Sequence, residues 1–165
     1  MTSPAWLLAV PLALQALAMT VDELHFHRRR GLGRWERIGH PLDTLSFVAC
    51  IAFLLVVPPT TRALMAYLGL SAFSCVLVTK DESVHAGECC AREHWLHAML
   101  FVLHPICLAC LGLLWPALNP GPELLAGSAV VARLVPGQLL LTCAFCLFQL
   151  LYWNLPWQKH PSRTR

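Results

Sequence analysis

The sequence predicts an all-α integral membrane protein with five transmembrane helices, N-terminus outside and C-terminus cytoplasmic. Three observations carry that expectation. Of 165 residues, 57% are hydrophobic and only 13% charged, against about 25% charged in an average soluble domain. The apolar residues gather into five runs, each near the ~20 residues that one span needs. The basic residues then collect on alternate breaks between the runs, as cytoplasmic loops require. This composition excludes a disordered chain, a nucleic-acid-binding tail and an ordinary cytosolic enzyme. Residues 1–165 form one transmembrane domain with no room for a separate soluble one.

Span one covers residues 4–24. Its Ala16-Leu17-Ala18 fits a signal-peptidase pattern, but no basic segment precedes it, so it reads as a retained helix. A basic loop follows, with Arg28, Arg29, Arg30, Arg34 and Arg37. Span two covers 40–57 and stops at Pro58-Pro59, and span three covers 63–79. The polar segment 80–92 leads into span four, 93–115, which ends at Pro116. A loop rich in proline and glycine precedes span five, 130–153.

Ten of the twelve Lys and Arg residues lie after spans one, three and five; only Arg62 and Arg133 lie on the other side. That bias sets the orientation, and the expected location is the plasma (inner) membrane of a prokaryote. The first-loop arginines read as topology signals that also favour anionic headgroups. Tyr152, Trp153 and Trp157 suit the inner aromatic belt, Trp6 and Trp115 the outer one. The eight cysteines lie mostly inside apolar runs. Cys107/Cys110 and Cys143/Cys146 therefore read as packing residues, and Cys89 and Cys90 as loop thiols.

Eight of the nine acidic residues, and His25, His27, His40, His85, His94, His97 and His104, lie in or beside the two inner loops. Solubility alone does not explain His97 and His104, which fall inside span four, where ionisable groups face a bundle interior or polar cavity. At 100° per residue, Glu93, His97 and His104 share one stripe, and so do Ser74, Asp81 and His85. Gln15 shares a face with Asp22, Glu23 stands four residues before His27, and His40 precedes Asp43 and Thr44 by three and four. Pro105 deprives the Phe101 carbonyl of its usual donor beside this stripe. Span five carries no such group and is expected alongside, through Gln138, Thr142 and Gln149.

The two inner hairpins also look alike. Asp22-Glu23, Glu36 and His40 match Asp81-Glu82, Glu93 and His97, which suggests a parallel internal repeat of 4–57 and 63–115 with the site at its interface.

Carboxylates mixed with imidazoles suit zinc, iron or manganese. Glu82 to His85 has the Glu-x-x-His spacing of di-iron bundles; Glu23 to His27 and Glu93 to His97 are one residue longer. The expected ligands for one or two divalent ions are Glu23, His27, His40, Glu82, His85, Glu93 and His97. Asp22, Asp43 and His104 are the expected acid–base groups. In kind, this cluster is similar to those of membrane metalloenzymes such as fatty-acid hydroxylases, desaturases and ceramidase-like hydrolases. The chain lacks the H-x-x-H-H boxes of the desaturase type and is shorter than the seven-span hydrolases, so no residue role is transferred.

The expected function is a metal-dependent membrane oxidoreductase or hydrolase acting on a lipid or other apolar substrate, with the bilayer as its partner. A metal-ion or proton-handling transport protein is one alternative. A scaffold with haem, or with a structural hydrogen-bond network and no cofactor, is another.

Overall fold

The computed structural model describes residues 5–80, 82, 86–87, 89–118 and 125–155. It is all-helical, with no strand among the described residues. Helix α1 (Ala5–Val21) runs into a π-helical turn (Asp22–His27) and a last α-turn, α2 (Arg28–Arg30). Gly31 ends it at φ 77°, in the left-handed region that glycine alone enters freely, and its N–H donates to the His27 carbonyl at 2.7 Å. Helix α3 (Arg34–Val56) starts three residues later; the Glu36 carboxylate accepts the Gly33 N–H at 2.8 Å and caps it. Helix α4 (Thr61–Leu77) is capped by the Thr60 hydroxyl, which accepts from Ala63 N–H at 3.2 Å. Helix α5 (Ala91–Leu113), the short α6 (Trp115–Leu118) and the long α7 (Leu125–Asn154) complete the chain.

Four helices are long and apolar enough to cross a membrane: Ala5–Arg30, Arg34–Val56, Ala91–Leu113 and Ala129–Asn154. They mark an integral membrane protein in contact with lipid. The expected third span differs: α4 has 17 residues, about 25 Å at 1.5 Å per residue, short of the ~30 Å hydrocarbon core. Two boundaries also move. The first helix continues through Arg30, and α3 begins at Arg34 rather than near His40, so most of the basic loop is helix. The tight turn at Gly31 makes this possible.

Leu8, Ile51, Leu54, Leu108, Leu111, Val131 and Val135 fill the core in one half of the bundle. There the Trp115 indole donates to the Val57 carbonyl at 3.1 Å, and the Tyr67 hydroxyl to the Leu108 carbonyl at 2.7 Å. Outward side chains are apolar as well: Leu7, Val56, Leu113 and Leu140 are each more than three-fifths exposed. Exposed leucine on every side is what a lipid solvent permits. At the other end of the bundle, the C-terminal ends of α1, α4 and α7 meet the N-terminal ends of α3 and α5. The polar residues collect there.

Candidate metal centre

The π turn builds the centre. In an α-helix, residues five apart point about 140° away from each other. The wider i→i+5 turn sets them nearly in line, so Asp22 and Glu23 both face His27. All three are buried, His27 completely. His27 Nε2 lies 3.3 Å from Asp22 Oδ2 and 3.9 Å from Glu93 Oε1, and its Nδ1 lies 3.7 Å from Glu23 Oε2. From α5, His97 Nε2 approaches Asp22 Oδ1 to 3.1 Å. The His40 ring of α3 meets the His27 ring edge-on, centroids 4.6 Å apart.

Two groups of potential ligands result. Asp22, His27, Glu93 and His97 are all buried, and each offers one donor atom within 4.8 Å of the others; Glu23, His27 and His40 form a second such group. A cation holding N and O ligands at about 2.0–2.1 Å keeps neighbouring donors about 3.3 Å apart, and the observed spacings bracket that value. Neither ring nitrogen of His27 makes a hydrogen bond. With three carboxylate oxygens 3.3–3.9 Å away, this buried ring would be satisfied either by protonation or by a bound cation. The residues present therefore fit a divalent metal.

Electrostatics points the same way. Arg30 binds Glu36 through two contacts, at 2.6 and 3.0 Å, and its Nε donates to Glu93 at 3.3 Å. One guanidinium thus faces Glu36 and Glu93, with Asp22 and Glu23 beside them. Among the described residues, Arg30 is the arginine set against these four buried carboxylates, a charge balance that protonated imidazoles or a cation would complete.

The last helix takes part, contrary to the expectation that span five only packs alongside. Gln149 Nε2 donates to Glu23 Oε2 at 3.1 Å, and Trp153 Nε1 donates to Glu23 Oε1. Thr44 donates to Gln149 Oε1 at 2.8 Å and fixes that amide. Trp153 is buried rather than set in an aromatic belt. These donors are neutral, so charge does not mark them in the sequence; only the Gln138, Thr142, Gln149 stripe does.

Other expected site residues fall elsewhere. His104 sits deeper, with Ser74 Oγ 2.9 Å from its Nε2 and Gln15 Nε2 3.4 Å from its Nδ1; Ser46 lies 2.7 Å from Ser74. Asp43 accepts from Lys80 Nζ at 2.6 Å and borders the cavity, outside both ligand groups. Glu82 is exposed and belongs to neither group among the described residues, because it follows the turn that ends α4. Asp81 and His85 lie outside the described residues. Glu36, absent from the expected ligands, is completely buried. Arg30, read from sequence as a topology and headgroup signal, is instead held inside the cluster.

A cavity of about 110 Å³ adjoins the centre. Asp22, Glu23, His40, Asp43 and His97 border it, and Met19, Phe47, Leu100, Phe101 and Phe145 make its apolar walls. The arrangement therefore joins a buried acid–imidazole cluster to an apolar chamber.

No protein-family model, curated protein or solved structure gives a significant match to this chain.

Proposed function

We infer that the protein is a metal-dependent membrane enzyme acting on a lipid or another apolar substrate. The observation that carries this reading is His27: buried completely, without an aligned hydrogen bond at either nitrogen, and facing three carboxylates, of which Asp22 and Glu23 border the cavity. Asp22, His27, Glu93 and His97 are the proposed first ligands, so Asp22 moves from acid–base group to ligand. Glu23 and His40 support His27 or hold a second ion. A metal held by these residues would supply Lewis-acid activation of water or, if it were redox-active, reductive activation of dioxygen. The chain's own residues supply the rest. Glu23, fixed by Gln149 and Trp153, orients the His27 ring. The phenylalanines keep bulk water from the chamber, and Asp43 and His40 are placed to accept or return a proton at its rim.

The proposed membrane arrangement keeps five spans, with the short α4 as the third, the N-terminus outside and the cluster at the cytoplasmic face. The inner membrane of a prokaryote and the parallel repeat of 4–57 and 63–115 belong to the same proposal. A transport role is less well supported, because the half of the bundle beyond His104 is closed by Leu8, Ile51, Leu54, Leu108 and Leu111.

The test is the metal content of detergent-purified protein by mass spectrometry, beside His27→Gln and His97→Ala variants whose helicity is checked by circular dichroism. Near-stoichiometric iron, manganese or zinc in the wild type, lost from folded variants, is the expected result. Metal-free wild type under metal-replete, chelator-free conditions overturns the reading. The cluster would then be a hydrogen-bond clamp on the helix ends.

A further inference from the structure

The long helices associate chiefly as two pairs, α1 with α5 and α3 with α7. The seam between the pairs, where α1 faces α7, is not filled. It holds the 110 Å³ cavity and a second one of about 80 Å³, and Gln15, Met19, Phe47, Thr142 and Phe145 border both. On α1 and the π turn that continues it the lining extends from Leu12 to Glu23, and on α7 from Gln138 to Gln149. Each stretch rises about 16 Å at 1.5 Å per residue. That is close to half of the ~30 Å hydrocarbon thickness, the depth of one leaflet.

The seam is polar at one end, where Asp22 and His97 stand, and largely apolar at the other, where Leu12 and Leu141 stand and the Gln138 amide is tied to Thr142 at 3.0 Å. Leu141 borders the second cavity and is also 56% exposed on the outside of the bundle, so the seam reaches the lipid-facing surface there. At the junction of the two cavities Gln15 is buried, and its Oε1 has no hydrogen-bond partner. A hydroxyl or amide on a guest molecule would satisfy it.

We propose that this seam binds one alkyl chain of a lipid from the leaflet on the cluster's side, with the polar end of that lipid at Asp22 and His97. Length, lateral opening and the polar-to-apolar gradient all match such a guest. The chain enters sideways from the bilayer between α1 and α7. That this lipid is the substrate rests on the metalloenzyme reading; that the seam binds it does not, since no wall residue beyond the cluster is a metal ligand.

The experiment uses a fatty acid carrying a photoreactive diazirine in mid-chain, added to the full-length protein in phosphatidylcholine nanodiscs, with and without chelator. Cross-links are mapped by mass spectrometry. They are expected to concentrate on 12–19 and 138–145, to be competed by unlabelled fatty acid or lysophospholipid, and to fall roughly tenfold in Ala16→Trp, since Ala16 borders the second cavity. Stronger competition by fatty acid identifies a free acid as the guest; stronger competition by lysophospholipid identifies a phospholipid chain. Leu141→Trp, at an exposed position, is the second blocking variant should Ala16→Trp not fold. Labels spread evenly over lipid-facing positions such as Leu7, Leu68 and Leu113, and insensitive to a folded blocking variant, overturn the proposal. Seam labelling that persists in metal-free protein separates the two readings: failure of the metal assignment leaves it intact, and failure of the seam leaves metal content intact.

Discussion

Glu23 decides how the last helix serves the cluster. Both of its oxygens are engaged, one by the Trp153 indole and the other by Gln149 Nε2 at 3.1 Å, and the second also faces His27 Nδ1 at 3.7 Å. A carboxylate held in this way is placed to orient an imidazole, as the outer partners of metal-bound histidines generally do. Trp153→Phe removes one hydrogen bond to a charged group, worth about 1.5–3 kcal/mol, and keeps most of the ring volume. Loss of such a partner lowers metal affinity about 10–100-fold, or about 1.4–2.7 kcal/mol. The assay is a competition titration against a chromophoric chelator for wild type, Trp153→Phe and Glu23→Gln, with visible spectra of the cobalt-loaded proteins. Both variants should bind within that weakened range, with the same coordination number as wild type and a shifted cobalt band. Complete loss of metal in a folded Glu23→Gln would make Glu23 a direct ligand. Unchanged affinity in both variants would refute the coupling between α7 and His27.

Three further outcomes follow from the geometry. Arg30→Met removes the guanidinium from Glu36 and Glu93, which are 0% and 3% exposed, so denaturant unfolding in detergent should show a loss of about 3–5 kcal/mol; adding Glu36→Gln should recover part of it, and a neutral effect would contradict the buried pairing. Gly112→Ala places a Cβ 2.9 Å from the Tyr67 ring, which is anchored by its hydroxyl on Leu108. A cost of about 1–3 kcal/mol is expected, relieved by Tyr67→Leu, and wild-type thermal stability would show that the ring moves freely. At the loop, burial and the neighbouring Glu93 push the Cys89 thiol up to about 12. A raised value keeps the thiol protonated at neutral pH, so maleimide labelling of Cys89 should be slow at pH 7 and accelerate as pH climbs toward that value; fast labelling at pH 7 would be incompatible with this setting.

Much of the cluster was legible because helical spacing is a strong constraint. Glu93 and His97, four residues apart, do share a buried face of α5, and Gln15 and Asp22 do share a buried face of the first helix. Arg30 was not legible, since a run of three arginines after a span carries the same signature whether it faces headgroups or folds back onto Glu36. Gln149 and Trp153 were hidden for a different reason. Neutral donors in an apolar span do not stand out by charge, and only their distance from Glu23, across more than a hundred residues of sequence, reveals their use. The shortness of α4 arises from its two ends, the Thr60 cap and the turn at 78–80, which hydropathy averages over.

The π turn explains why the site could not be assembled from periodicity alone. With regular α geometry, Glu23 and His27 share a face while Asp22 points well away from His27. Sequence spacing therefore offers two competing partners and no way to satisfy both. The wider turn resolves the conflict by placing His27 between the two carboxylates. It also turns the chain so that Arg30, three residues later, reaches Glu36 and Glu93 rather than the membrane surface. Such turns are uncommon and concentrate at functional sites. Here the irregular turn brings Asp22 and Glu23 into one buried cluster with His27, an acid–imidazole set that could hold a cation.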